Sequence, residues 1–521
     1  MLTDPSPLLV TSVTTAVLVW DVAMAGWIAA RREAPRLFTQ VTAFCGLLVI
    51  PMMLVGIAAG TAAGARTITG ITWLLPVVAV AFALQVLMAI LRGLISPLVG
   101  VPLLLYDLMV MTVTVGDYVV TRDGIAPTAL HAAVAARDAV VGISVGRAAL
   151  VSPLAVLAPI LAPVYPARWR LSGLIRAGLV LLAVILTTLL AIEWPRALGA
   201  VRSYDEARFE PMQARPLGDF ALGVRLFPVL TGAPSARLVE ANRPVVEAFH
   251  PEVVLLVLDT EAARPTVLDS LRSVLTALHA DSVTAAVALR LDEPRLPRSN
   301  DPIRLQAIEQ ILRTLRPAVL FPALPDPMPG WVAPPRPSVA WWQNTLDNAA
   351  LVIDRVRPAT RLAWSAARLD ATDSAVYAWA VSPDSPVELL AATSYPSFNG
   401  LPAVDARLHT FERWHDALAA ADHPLPPHWL VTIGGLPHAH GDRAQVAAMR
   451  RALAWGSRRP WITGAIVGEA GDYDGRVGLH AADGRSRAAL GVIGLAVRRM
   501  QDVRIIAPRP DTVRPSSGTD R

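Results

Sequence analysis

Six apolar runs in the first 195 residues, followed by eight short apolar segments alternating with amphipathic ones, predict an α-helical transmembrane domain followed by an α/β (β/α)8 TIM barrel. A mean hydropathy of +0.45 with 17% charged residues is a third sign, too apolar for an ordinary soluble chain of 521 residues. The same composition excludes disorder, a collagen-like repeat and a disulfide scaffold. The formal charge is 47 − 42 = +5, and the first 200 residues alone hold 12 Arg against 8 acids. The basic excess therefore belongs to the apolar half, so no nucleic-acid partner is expected. Cys45 is the single cysteine, which leaves no intramolecular disulfide and no thiolate metal site.

The apolar runs fall near 8–30, 37–60, 71–92, 94–116, 148–166 and 172–193, within a domain spanning 1–195. Each approaches the roughly 20 residues that a ~30 Å hydrocarbon core requires. Pro97, Pro102, Pro153, Pro159 and Pro163 interrupt the fourth and fifth. The segment 125–147 is too polar to span and reads as an amphipathic surface helix. Arg31, Arg32 and Arg36, then Arg92, then Arg168, Arg170 and Arg176 share one side if the N-terminus lies outside the cytoplasm. Six spans then place the remainder of the chain outside as well, although Arg122, Arg137 and Arg147 fall on the opposite side in this scheme. The start MLTDPSPLLV lacks a basic n-region and reads as an uncleaved anchor. Asp21 and Asp107 lie within apolar runs, where an acid faces a partner or a cavity. Helix-to-helix packing is the expected role, with an ion or substrate path as the alternative.

Residues 196–218 are charged and read as an irregular linker, and 508–521 read as a disordered tail. Between them, 219–507 hold the barrel, with strands at 220–228, 252–259, 283–292, 318–324, 360–366, 387–396, 428–435 and 461–469. Stretches such as TVLDSLRSVLTALHA and DPIRLQAIEQILRTL carry apolar residues at three and four spacing and read as the intervening helices. In such a barrel the chemistry sits at the C-terminal ends of the strands.

The seventh unit, HWLVTIGGLP, resembles the seventh strand of clan A glycoside hydrolases, with Thr432, Gly435 and Pro437 in register. In the fourth unit, Pro325, Asp326 and Pro327 stand where that family carries Asn-Glu-Pro. SYPSFNG in the sixth unit and EAGDYDGRVGLHAADGRSRAAL in the eighth resemble the family's Tyr-Pro and closing segments. The resemblance covers roughly 216–500. It implies two carboxylates ~5 to 5.5 Å apart, one protonating the leaving oxygen and one attacking the anomeric carbon. Ile433 occupies the position of the nucleophilic Glu, and Asp326 is at most a displaced acid. The resemblance thus implies a glycan-binding barrel with a degenerate catalytic site.

Other acids sit at the same face: Asp259 and Glu261 after strand two, Asp292 and Glu293 after strand three, Glu469, Asp472 and Asp474 at strand eight. Asp326 with Glu469 is the pair that an active retaining glycosidase or transglycosylase would use. His438, His440 and Asp442 form HAHGD after strand seven, read as a polar loop contacting glycan, since no third histidine converges for a metal. Trp331, Trp341 and Trp342 offer sugar-stacking faces or helix packing, and Tyr395 and Asn399 follow strand six as subsite contacts. Asp259, Asp292, Trp331 and His438 complete the expected substrate-binding set. No P-loop or dinucleotide fingerprint is present, and neither cofactor nor metal is expected. The expected partners are the lipid bilayer, a polysaccharide or oligosaccharide, and a polysaccharide synthesis or export complex. A transporter or lipid-linked sugar-handling module with the barrel as accessory is the alternative from another class.

Overall fold

The computed structural model describes residues 7–31, 34–58, 73–123, 126–141, 157–165, 171–215, 219–278, 284–291, 296–325, 337–394, 402–419, 424–435, 437–473, 478–481 and 484–495. The N-terminal region is helical: α1 (Pro7–Ala29), α2 (Arg36–Ala58), α3 (Leu74–Leu91), α4 (Pro97–Asp123), α5 (Thr128–Val141) and α6 (Ser172–Ala207). Three of these, α3, α4 and α6, are long and apolar enough to cross a membrane, and the described parts of α1 and α2 are shorter apolar helices. Leu47, Leu91, Leu98 and Leu174 are exposed on the outside of the bundle, while Phe38, Phe82 and Leu103 fill its centre.

Three expectations fail here for identifiable reasons. The fifth expected span is not helical over its described part, 157–165, which runs as buried irregular backbone. Pro159 and Pro163 each lack an N–H and bias the preceding residue towards extended conformations. The remaining amides find other acceptors: Ile160 N donates to Asp107 Oδ1 at 3.0 Å, Leu161 N to Asp21 Oδ1 at 2.9 Å, and Ala162 N to Gln85 Oε1 at 2.9 Å. Val164 N donates to Ala162 O at 2.8 Å. Tyr165 then reaches the start of α6, its hydroxyl donating to Ser172 O at 3.1 Å and its carbonyl accepting from Arg176 at 3.0 Å.

The segment expected as an amphipathic surface helix, 125–147, contributes α5, which is packed inside. His131, Ala132, Ala133, Val134, Ala136 and Arg137 are all buried. Arg137 is neutralised by an ion pair with Asp117 of α4, which removes the reason to keep it at a surface. The expected linker is also largely absent, because α6 continues without interruption to Ala207. Tyr204 joins the barrel's outer core, so burial extends the helix past the charged residues that suggested a break.

The strands are β1 (Ala221–Arg225), β2 (Val253–Leu258), β3 (Thr284–Arg290), β4 (Val319–Leu324), β5 (Arg361–Ala366), β6 (Leu389–Thr393), β7 (His428–Ile433) and β8 (Ile462–Glu469). They form a closed parallel barrel in sequential order, each paired to the next and β8 to β1. The outer helices are α7 (Ala236–Phe249), α8 (Pro265–Ala277), α9 (Pro302–Thr314), α10 (Val339–Val356), α11 (Ala371–Ala380), α12 (Pro402–Ala419), α13 (Pro437–Ser457) and a last one over 488–495. Side-chain caps start several of them: Ser235 accepts from Leu238 N, Asp301 from Ile303 N, Ser338 from Trp341 N, and Asp370 from Thr372 N and Asp373 N.

Alternate strand residues divide between two apolar layers, as a period of two requires. Val253, Leu255 and Val257 of β2 face the interior with Ala286, Phe321, Leu389 and Trp429, while Val254, Leu256 and Leu258 face the helices. Trp429 fits because β8 has no side chain beside it: a Cβ on Gly464 would lie 2.7 Å from the indole nitrogen. At the N-terminal end of the barrel, Arg215 donates to Arg459 O, Pro460 O and Ile462 O and pairs with Asp219.

Nearby, His428 is buried among Tyr377, Phe411, His415 and Trp461, with 2.8 Å between its Nε2 and the Tyr377 hydroxyl. Burial first, and the neighbouring His415 second, hold the imidazole down from 6.5 to about 3. An unfolded chain takes up this proton near pH 6.5, whereas the folded chain refuses it until about pH 3. His428 therefore makes stability fall as pH drops through that window. As pH falls from 7 towards about 5, where most carboxylates remain ionised, the slope from this group rises towards about 1.4 kcal/mol per pH unit. Chemical denaturation between pH 7 and about pH 5 should show this slope in the wild type and a flatter profile in His428→Gln.

Candidate functional site

The C-terminal ends of the eight strands form the mouth at which a barrel of this kind carries its chemistry. Three buried arginines hold this rim together. Between β8 and β1, one extra residue in β8 places Glu469 opposite Arg225, and their side chains pair at 3.4 Å. Arg225 Nε also donates to Phe227 O at 3.2 Å, and Glu469 Oε2 accepts from Tyr473 N at 3.2 Å. Arg304 of α9 donates to Pro322 O at 2.8 Å and to Arg290 O at 3.1 Å, gripping the irregular end of β4 and the end of β3. Arg407 of α12 donates to Thr393 O at 2.9 Å, Ala367 O at 2.5 Å and Arg368 O at 3.5 Å, joining the ends of β5 and β6. Burial lowers the Arg407 guanidinium to about 10, a value that leaves it charged at neutral pH.

The seventh strand departs from the expected arrangement in detail. Ile433 is fully buried and packs in the layer between strands and helices, together with Leu430 and Val467. Thr432 adopts a left-handed backbone (φ 59°), and the β7–β8 register shifts between Leu430 and Ile433. That irregularity interrupts the alternation that puts Trp429 and Val431 inside the barrel. A carboxylate at position 433 would thus enter an apolar layer. Gly435 is required by packing, since a Cβ there would lie 2.4 Å from the Gln445 backbone on α13.

Of the other expected site residues, Asp259 is half-buried after β2, where its Oδ1 accepts from the Thr260 hydroxyl at 3.2 Å, and Glu261 is exposed beside it. Glu469 is the expected acid that lies buried at the mouth, and it is engaged by Arg225. Asp472 and Asp442 brace the rim through Arg487, at 2.5 and 3.3 Å. HAHGD is not a loop: α13 begins at Pro437 and contains it. Among the described residues no cluster of three His, Cys, Asp or Glu suits a metal. Trp341 and Trp342 serve packing, Trp341 donating to Pro297 O at 2.7 Å and Trp342 meeting Trp364 edge-on. Asp292, Glu293, Asp326, Trp331, Tyr395, Asn399, Asp474 and the tail 508–521 lie outside the described residues, as do the side chains of His438 and His440.

Two features of the mouth were not expected from the sequence. Ser365 at the end of β5 and Ser394 after β6 are buried, and the hydroxyl of each has no hydrogen-bond partner among the described residues. Small hydroxyl residues in strands are too common to stand out in a single chain. Both lie towards the mouth end of the barrel and are closed off from solvent.

No family model matches the sequence, and no curated protein is similar to it. Solved structures with some likeness include a GH113 beta-1,4-mannanase, at 10% identity and a TM-score of 0.37, covering 55% of this chain and 99% of that one. A monomeric beta-xylosidase from Caulobacter crescentus CB15 shares 12% identity with a TM-score of 0.40, over 56% of this chain and 70% of that one. A family 5 glycoside hydrolase from Prevotella bryantii B14 shares 10% identity with a TM-score of 0.38, over 56% and 99%. The strand order, and not these likenesses, is the ground for the fold.

Replacing Glu469 with Leu takes the carboxylate from a buried arginine and should cost about 3–5 kcal/mol. The double variant Arg225→Met/Glu469→Leu should recover much of that loss. Denaturation of wild type, both single variants and the double variant would measure the coupling; simple additivity would show the pair to be inert.

Proposed function

We propose that this chain is a membrane-anchored, extracytoplasmic barrel that binds a cell-surface or secreted polysaccharide without hydrolysing it. The observation that carries this reading is the state of two strand ends. Ile433 stands in the apolar layer where the resemblance expects a nucleophile, and Glu469 is held by Arg225.

The placement outside the cytoplasm draws on arginine positions. Arg92 lies beside the start of α4, and Arg176 in the first turns of α6. The other ends of both helices approach the barrel, since Thr128, just past α4, donates to Asp205 near the end of α6. These arginines thus mark the end of the bundle remote from the barrel, which the positive-inside tendency assigns to the cytoplasm. Of the charges that oppose this assignment, Arg137 is buried and paired with Asp117, while Arg122 is exposed at the end of α4. A polysaccharide synthesis or export complex is the partner that would present a polymer to such a barrel.

The test uses the full-length chain in lipid nanodiscs with a panel of β-glucans and bacterial exopolysaccharides. Saturable binding to one glycan with no reducing-end release is the expected result. Release that disappears in Asp326→Ala would instead establish a glycosidase using Asp326 with another carboxylate.

A further inference from the structure

The irregular segment 157–165 draws three polar side chains from three helices to one place. Asp107 on α4, Asp21 on α1 and Gln85 on α3 each spend one oxygen on a backbone amide, those of the consecutive residues Ile160, Leu161 and Ala162. All three side chains are fully buried. In each, the second polar atom has no hydrogen-bond partner among the described residues: Asp21 Oδ2, Asp107 Oδ2 and Gln85 Nε2. Buried polar atoms are nearly always satisfied, so three orphans on side chains that hold consecutive amides mark a place that takes up something further.

The charge of the site narrows what that is. The titratable groups that face the two carboxyls are each other, the Cys45 thiol of α2 and the Tyr106 hydroxyl of α4. The Tyr106 hydroxyl is already donated to Ala158 O at 3.0 Å, and Trp20 Nε1 to Leu161 O at 3.2 Å. Among the described residues, no basic side chain acts on either carboxyl. Two carboxylates in an apolar bundle cannot both stay ionised without positive charge beside them.

We propose that Asp21 and Asp107 form a cation site in the helical bundle, neutralised by protons or by an alkali ion with a proton, whose occupancy fastens the segment 157–165, while Gln85 holds the Ala162 amide beside it. The orphaned carboxyl oxygens are the ligating or proton-bearing atoms. The other oxygen of each carboxyl remains on its amide. The site lies apart from the barrel mouth, and it stands or falls independently of glycan binding.

The experiment uses the full-length chain in lipid nanodiscs, with wild type, Asp21→Asn, Asp107→Asn and the double variant. Asparagine keeps the carbonyl oxygen that accepts from the Leu161 or Ile160 amide, so a purely structural role predicts an unchanged Tm. In the proton arm, infrared spectra across pH should show a protonated carboxylic-acid band that weakens in each single variant and vanishes in the double variant. In the alkali arm, sodium replacing N-methylglucamine should raise the Tm and radioactive sodium should be retained, both lost in the double variant. A positive result in either arm supports the proposal and identifies the occupant. Absence of both signals in the wild type, or their survival in the double variant, would overturn it.

Discussion

A backbone amide buried in an apolar bundle must find an acceptor, and the N-terminal region is organised around meeting that demand over residues 160–162. Asp107, Asp21 and Gln85 accept from three amides in succession, which lets the chain pass through the bundle without forming a helix there. Such a passage needs few residues and little width. α4 and α6 can then run side by side in the same direction, with the return between them made in part by irregular backbone. Because both helices finish at the same end, the barrel has two supports. It continues from α6, and α13 packs against α4.

Arginine recurs as the connector in the second half, and its chemistry explains why. Arg407 reaches three carbonyls, Arg304 at least two, and Arg215 four carbonyls and a carboxylate. A planar fork with five donors can satisfy several divergent oxygens from one buried position, which an ammonium on a flexible stem does poorly. Strand ends in a barrel leave such carbonyls unpaired wherever the register shifts, as it does at the ends of β1, β4 and β7. Two of those three irregular ends meet a guanidinium directly, Arg225 at β1 and Arg304 at β4.

The eight strands were legible in the sequence because apolar runs of six or so residues, bounded by polar turns, are dictated by burial on both faces. Their order followed from the alternation with helices. The register irregularities were not legible: nothing in TIGG announces a left-handed Thr432, and that one backbone choice decides which way Ile433 points. The end of α6 was misread because Arg196, Arg202, Asp205 and Glu206 look like a linker, whereas the helix is held by the buried Val201 and Tyr204 on its other face. Asp21 and Asp107 stood out as costly, but their shared task appears only when residues 160–162 lie beside them. The prolines that interrupt the fifth apolar run were the available signal. They mark where a helix cannot supply the hydrogen bonds and side chains must.

α6 has 36 residues, about 54 Å of uninterrupted helix, roughly twice what the hydrocarbon of a bilayer occupies. Were α6 to cross a bilayer, the remainder, with Pro195 at its base, would be a helical post instead of a tether. A domain on a flexible linker searches a volume and gains effective concentration from its freedom; one on a post with a second point of attachment does not search at all. Its mouth would keep a single height and heading relative to the lipid surface. Any polymer it engages would have to arrive along that heading, so the geometry of delivery would select ligands as much as the contacts in the mouth do.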